Sequence, residues 1–221
     1  MFDRQKSTEP RSIGPLIDGH RRFRDLVLLD RAEEYRLLAK GQSPLAVFVT
    51  CSDSRVQPQL FTASSPGDLF VIRNAGNIVP DYGITSSEGA AIEYAICALS
   101  TPHIIVCGHS HCGAMGGLLD RESLAAIPKV RRWVDLSEKA LDLVSQRQIE
   151  CAVKRLDAMV KQNVLLQLEH LMTYPYVAER VEKGELTLHG WVYEIDSGRV
   201  FSHDSASGDF KPLAETHVPR E

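Results

Sequence analysis

Apolar positions recur along this chain in two rhythms, and the alternation between them orders the elements. Residues 13–40 place Leu16, Ile17, Phe23, Leu26, Val27, Leu28, Leu37 and Leu38 among many arginines and acids. That spacing predicts amphipathic helix in two pieces, closed by Gly41. A continuous apolar run begins at Ala46, and further runs cover 69–73 and 103–108. Short runs rich in β-branched and aromatic side chains predict buried strands. Between the last two, Thr85-Ser86-Ser87-Glu88 has the spacing of a capping box, and 90–99 reads as an amphipathic helix ended by Pro102. Residues 130–172 predict helix with a polar break at 142–150, stopped by Tyr174-Pro175. Residues 186–194 alternate as a strand, and Asp196-Ser197-Gly198-Arg199 turns it into a hairpin with 200–202. The whole predicts an α/β fold: a mainly parallel β-sheet with an antiparallel edge, flanked by helices, with an N-terminal helical arm. One domain is expected over 1–221, with the arm at 1–40, the α/β core at 41–203 and a C-terminal tail at 204–221.

Composition narrows the partners. The 221 residues are 43% hydrophobic and 24% charged, ordinary for a globular protein, and the net charge of −4 provides no electrostatic footprint for nucleic acid or an anionic membrane. No run of about 18 apolar residues is available to span a bilayer. Residues 1–14 carry charges of both signs and no apolar core, so they do not read as a secretory signal. Five cysteines are an odd count. Cys97 and Cys107 lie in apolar runs and Cys151 begins a helix-like stretch, where a thiol acts as a small hydrophobe. A disulfide framework is not expected, and a reducing, cytoplasmic location is. Cys51 and Cys112 remain, both in polar surroundings.

The strand that begins at Ala46 ends abruptly in Cys51-Ser52-Asp53-Ser54-Arg55. If the backbone stays extended there, the Cys51 thiol, Asp53 carboxylate and Arg55 guanidinium share one face. The third strand runs into His109-Ser110-His111-Cys112-Gly113, where H-x-x-C spacing puts His109 and Cys112 on one side of a helical turn. Two strand ends therefore deliver ligand-type side chains to one edge of an α/β sheet, the usual place for a site. One histidine and two cysteines suit zinc, and three protein ligands leave a fourth position for water or substrate. Asp53 could be a fourth ligand or accept a hydrogen bond from a zinc-bound hydroxide, while Arg55 can hold it in a bidentate pair off the metal. His111 between the ligands has the titration range of a proton shuttle but reads more simply as a loop histidine. Trp133 and Trp191 read as core or interface anchors.

Cys51-Ser52-Asp53-Ser54-Arg55-Val56 together with Cys107-Gly108-His109-Ser110-His111-Cys112-Gly113 resembles the signature of the β-class carbonic anhydrases. The similarity extends to Pro66-Gly67-Asp68-Leu69-Phe70-Val71-Ile72-Arg73-Asn74-Ala75-Gly76-Asn77 and Leu188-His189-Gly190-Trp191-Val192-Tyr193, and covers roughly 14–201. The resemblance implies a Zn²⁺ enzyme that reversibly hydrates carbon dioxide to bicarbonate and a proton. It implies Cys51, His109 and Cys112 as metal ligands and Asp53 with Arg55 as a gatekeeping dyad. Gln42, Phe70 and Tyr94 would line the carbon dioxide pocket, partly across a dimer interface, and Gly113 would offer its N–H near bicarbonate. A homodimer is implied, or a tetramer or octamer, with residues 13–40 embracing the neighbour. Some members bind regulatory bicarbonate beside a tryptophan three positions before the first cysteine. Here that residue is Phe48, and Thr50 replaces their glycine, although Arg73 is present; no such site is expected. The alternatives are a carbon disulfide or carbonyl sulfide hydrolase on the same fold, and a non-catalytic, zinc-stabilised scaffold.

Overall fold

The computed structural model of the chain describes residues 12–213. The chain divides into two compact units, Met1–Gln42 and Ser43–Glu221. In the first, helices Gly14–Arg22 and Ala32–Leu38 are joined through a π-helical turn, Phe23–Val27, and a short helix, Leu28–Asp30. Leu16, Leu26 and Leu29 are exposed on these helices, so the amphipathic pattern read in the sequence is real and its apolar side faces outward from its own segment.

The second unit is built on a six-stranded sheet ordered β2-β1-β3-β4-β5-β6. Its strands are β1 Ala46–Cys51, β2 Leu69–Asn74, β3 His103–His109, β4 Thr187–Tyr193, β5 Val200–Asp204 and β6 Asp209–Pro212. The first four are parallel, and β5 and β6 add an antiparallel edge. All six residues of β1 are buried, which explains its unbroken apolar run: a central parallel strand is covered on both faces. Val47, Val49 and Cys51 face the larger core with helix Ala152–Leu171, while Phe48 faces Phe61 and Trp191 on the other side.

Three local expectations are corrected. The helix after Pro80 opens at Ser87, with Ser86 as its cap accepting a hydrogen bond from the Gly89 N–H, one residue later than the capping-box spacing places it. The expected tail at 204–221 contains part of the sheet, because β5 ends at Asp204 and turns through Gly208 into β6. Only Phe210 in β6 is large and apolar, too little pattern to read as a strand, and Pro212 is tolerated because this is the sheet edge. The rest of the tail, like the expectation for residues 1–11, lies outside the described residues. Cys107 is buried as expected, but Cys97 and Cys151 are exposed.

Gly108 lets the long helix lie close on β3. A Cβ there would sit 2.8 Å from Val160 Cγ1 and 3.0 Å from Val164 Cγ2, both stiff, buried side chains. Gly108→Ala is therefore expected to lower stability by about 1–3 kcal/mol through overpacking. Urea unfolding at unchanged slope measures this, and a variant as stable as the parent would show that the helix has room to move.

Candidate metal centre

The carboxyl ends of β1 and β3 are neighbours in the sheet, with Thr50 opposite Cys107. Cys51 is the last residue of β1 and His109 the last of β3. Cys112 caps the helix Gly113–Leu119. Between His109 and Cys112 the chain makes a tight turn, with His111 in the left-handed region at φ 57°. The pair thus converges through a turn and not along the helical surface that its spacing suggests.

Cys51, His109 and Cys112 are all buried, and their ligand atoms lie within 4.8 Å of one another. The His109 ring is oriented by Nδ1, 2.9 Å from the Ser110 carbonyl. That contact places the proton on Nδ1, leaving Nε2 as a lone pair. Nε2 is buried and has no hydrogen-bond partner, a costly arrangement for an imidazole unless another group is bound there. One nitrogen and two sulfurs are the soft-to-borderline donor set that zinc accepts, so the residues present fit the metal.

The two thiols interact strongly. Contact with Cys112 is the main cause holding Cys51 far below the ordinary thiol range, at about 4, helped by His109 and by the Gly76 N–H, 3.4 Å from Cys51 Sγ. Cys112 is pushed up by the same contact and by burial. The contact lets one proton leave the pair easily and holds the other back, and a cation bound to both sulfurs would favour the doubly deprotonated form.

Asp53 stands beside this cluster, its Oδ2 3.9 Å from His109 Nε2. Arg55 grips it in a fork, Nε to Oδ1 at 2.9 Å and an NH2 to Oδ2 at 2.7 Å, while the Arg55 backbone N–H reaches Oδ1 at 3.0 Å. The Arg55 guanidinium is the main cause that lowers Asp53 to about 2. Partners were legible from strand alternation, but the geometry was not: β1 stops at Cys51, and the chain turns so that Val56 N–H bonds the Asp53 carbonyl. The fork forms across that turn. Arg73 holds the turn in place, donating to the carbonyls of Cys51, Asp53 and Val56 at 2.8–3.1 Å.

The other expected site residues are dispersed. Phe70 and Tyr94 are in ring contact, centroids 6.2 Å apart, with Tyr94 51% exposed. Gly113 is the exposed first residue of its helix, and the space beside its Cα is open. Gln42 is exposed and ends the other unit. Side-chain chemistry alone points neither to the Gly76 N–H nor to the hold of Arg73 on the turn, because both act through backbone groups. The Asn74-Ala75-Gly76 sequence, with Gly76 at φ 87°, was the available signal for the first.

Residues 46–200 match the family model described as "Carbonic anhydrase". A carbonic anhydrase of Pseudomonas aeruginosa is 47% identical over 201 residues, covering 90% of this chain and 91% of its own. Among solved structures, the β-carbonic anhydrase CcaA superposes with a TM-score of 0.87 at 45% identity, covering 90% of this chain and 98% of its own. A tetrameric β-carbonic anhydrase from Sordaria macrospora superposes with a TM-score of 0.79 at 27% identity, over 86% of this chain and 95% of its own.

Proposed function

Because the chain belongs to the β-class carbonic anhydrases, we propose that Cys51, His109 and Cys112 hold zinc and that carbon dioxide is hydrated beside Asp53. The observation that carries this reading is the buried, unpartnered His109 Nε2 facing two thiols, with a carboxylate oxygen 3.9 Å away. Zinc bound there would lower the pKa of a coordinated water toward neutrality and so supply the nucleophile.

The chain's own residues supply positioning and proton control. Asp53 Oδ2 accepts a hydrogen bond from the attacking oxygen and turns a lone pair toward the carbon of the substrate. Arg55 occupies the other carboxylate lone pairs, so Asp53 serves as an acceptor and not as a fourth ligand. Phe70 and Tyr94, whose rings touch, would give an apolar wall for a substrate with no dipole, and the Gly113 N–H, next in the chain to Cys112, would meet a bicarbonate oxygen. A role for Gln42 at that pocket, which the family forms partly across a dimer interface, belongs to the same proposal.

We propose a homo-oligomer, a dimer or a higher even assembly. The exposed leucines of the N-terminal helices support it, as does the tetrameric relative. No helix among the described residues is long and apolar enough to cross a membrane. A cytoplasmic location is part of the proposal, since Cys51 and Cys112 must stay reduced to act as ligands.

Bicarbonate is expected to act only as a reactant, with no regulatory site of its own. Phe48 is fully buried against Phe61 and Trp191, Thr50 Oγ1 bonds the Cys107 carbonyl, and the Arg73 guanidinium is engaged by three carbonyls. Initial-rate inhibition by bicarbonate at neutral pH should follow a simple hyperbola with a Hill coefficient of about 1. Sharp, cooperative inactivation would show that this face opens to the anion.

The whole reading is tested by stopped-flow carbon dioxide hydration on protein of measured zinc content. Zinc-loaded protein without hydration would leave the scaffold alternative.

A further inference from the structure

Trp133, read from sequence only as an anchor, has a more specific place. It lies on helix Pro128–Val134, and its indole Nε1–H donates to the Ala75 carbonyl at 2.9 Å. That carbonyl and the Gly76 N–H belong to one planar trans peptide, so they point in opposite directions and orienting one orients the other. The Gly76 N–H points at Cys51 Sγ, 3.4 Å away. The line of contacts therefore runs from indole, through a single peptide unit, to the sulfur.

We infer that Trp133 is a positioning residue for Cys51, acting through the Ala75–Gly76 peptide to aim and strengthen the amide hydrogen bond to the ligand sulfur. The inference rests on the assignment of Cys51 as a metal ligand. A donor on the carbonyl polarises the amide and makes its N–H a stronger donor in turn. Such a bond draws electron density from a thiolate and leaves less of it for a bound cation, one way a protein tunes a metal without touching it. The rest of the loop is built to keep this peptide still. Asn163 Nδ2 holds the Gly76 carbonyl at 2.9 Å, and Gln167 Oε1 accepts from the Val79 N–H at 2.8 Å. Ser137 bonds both Asn163 and Gln167, and all three are fully buried. Gly76 cannot be replaced cheaply, since its φ of 87° is one that side-chain-bearing residues rarely adopt and a Cβ would lie 3.2 Å from Ala114 Cβ.

Trp133→Phe removes the N–H and keeps an aromatic ring. The test loads parent and variant with cobalt(II) and reads the near-ultraviolet thiolate-to-cobalt charge-transfer band, with far-ultraviolet circular dichroism as the fold control. The parent should show the band at full occupancy. The variant should fold, still bind cobalt and show the band at lower energy, as a more electron-rich thiolate requires. A folded variant with an unshifted band overturns the relay. A parent with no such band overturns the assignment of Cys51 as ligand, and the relay with it. If Trp133→Phe does not fold, 3-benzothienylalanine at position 133, which keeps the bicyclic shape and lacks the N–H, decides between the same two outcomes.

Discussion

Asp53→Asn is expected to lower kcat for carbon dioxide hydration by about 10²–10⁴-fold, the range for losing a positioned proton acceptor, while zinc content stays at the parent level. The three ligands are untouched by the change. The amide that replaces the carboxylate has one acceptor oxygen in place of two, and its NH2 meets either the Arg55 fork or the site, where an acceptor is needed in both directions. Metal analysis beside stopped-flow kinetics checks both halves. Near-parental turnover with full zinc would remove Asp53 from the mechanism. The depressed Asp53 pKa fixes the sign of its pH dependence. A carboxylate lowered to about 2 by its Arg55 partner contributes its stabilisation fully above its ordinary value near 4 and loses it as pH falls toward 2. The pair is charged throughout the neutral range, so a titration of activity there reports another group. With Arg55 half exposed, the pair's worth lies in orienting the carboxylate more than in stability.

Cys51→Ser is expected to abolish zinc binding at stoichiometric metal and carbon dioxide hydration with it. A serine hydroxyl stays protonated where a thiol gives up its proton, and it is a poor partner for a borderline-soft cation. The substitution also leaves the Gly76 N–H facing a shorter, harder acceptor. Folding should survive, because Cys51 contributes little apolar area to a core made chiefly of valine, isoleucine, leucine and methionine. Zinc analysis after desalting, together with circular dichroism, measures this. A folded variant that keeps a full zinc complement would show that the metal sits elsewhere.

The parts of this molecule that were legible in its sequence are those in which side chains alone carry the information. β1 and β3 announce themselves because strands covered on both faces must be apolar throughout, and each ends where the ligand-type residues begin. That convergence of two strand ends is enough to group Cys51, His109 and Cys112. The pairing of Asp53 with Arg55 was also legible, but strand alternation was the wrong reason for it: the fork closes across a turn held by Arg73. What escaped were backbone groups and weakly patterned segments. The Gly76 N–H has no letter of its own, and β6 carries too few apolar residues to be heard. Exposed Cys97 and Cys151 show the converse fault, since neither an apolar run nor a helix start in sequence need be buried in the folded unit.

Carbon dioxide hydration by zinc held at Cys51, His109 and Cys112 is tested by a stopped-flow titration in which zinc is returned to chelator-stripped protein. Hydration should rise in proportion to zinc and stop rising at about one ion per chain, the capacity of one Cys₂His cluster. Activity that is independent of added zinc, or absent at full occupancy, would contradict it.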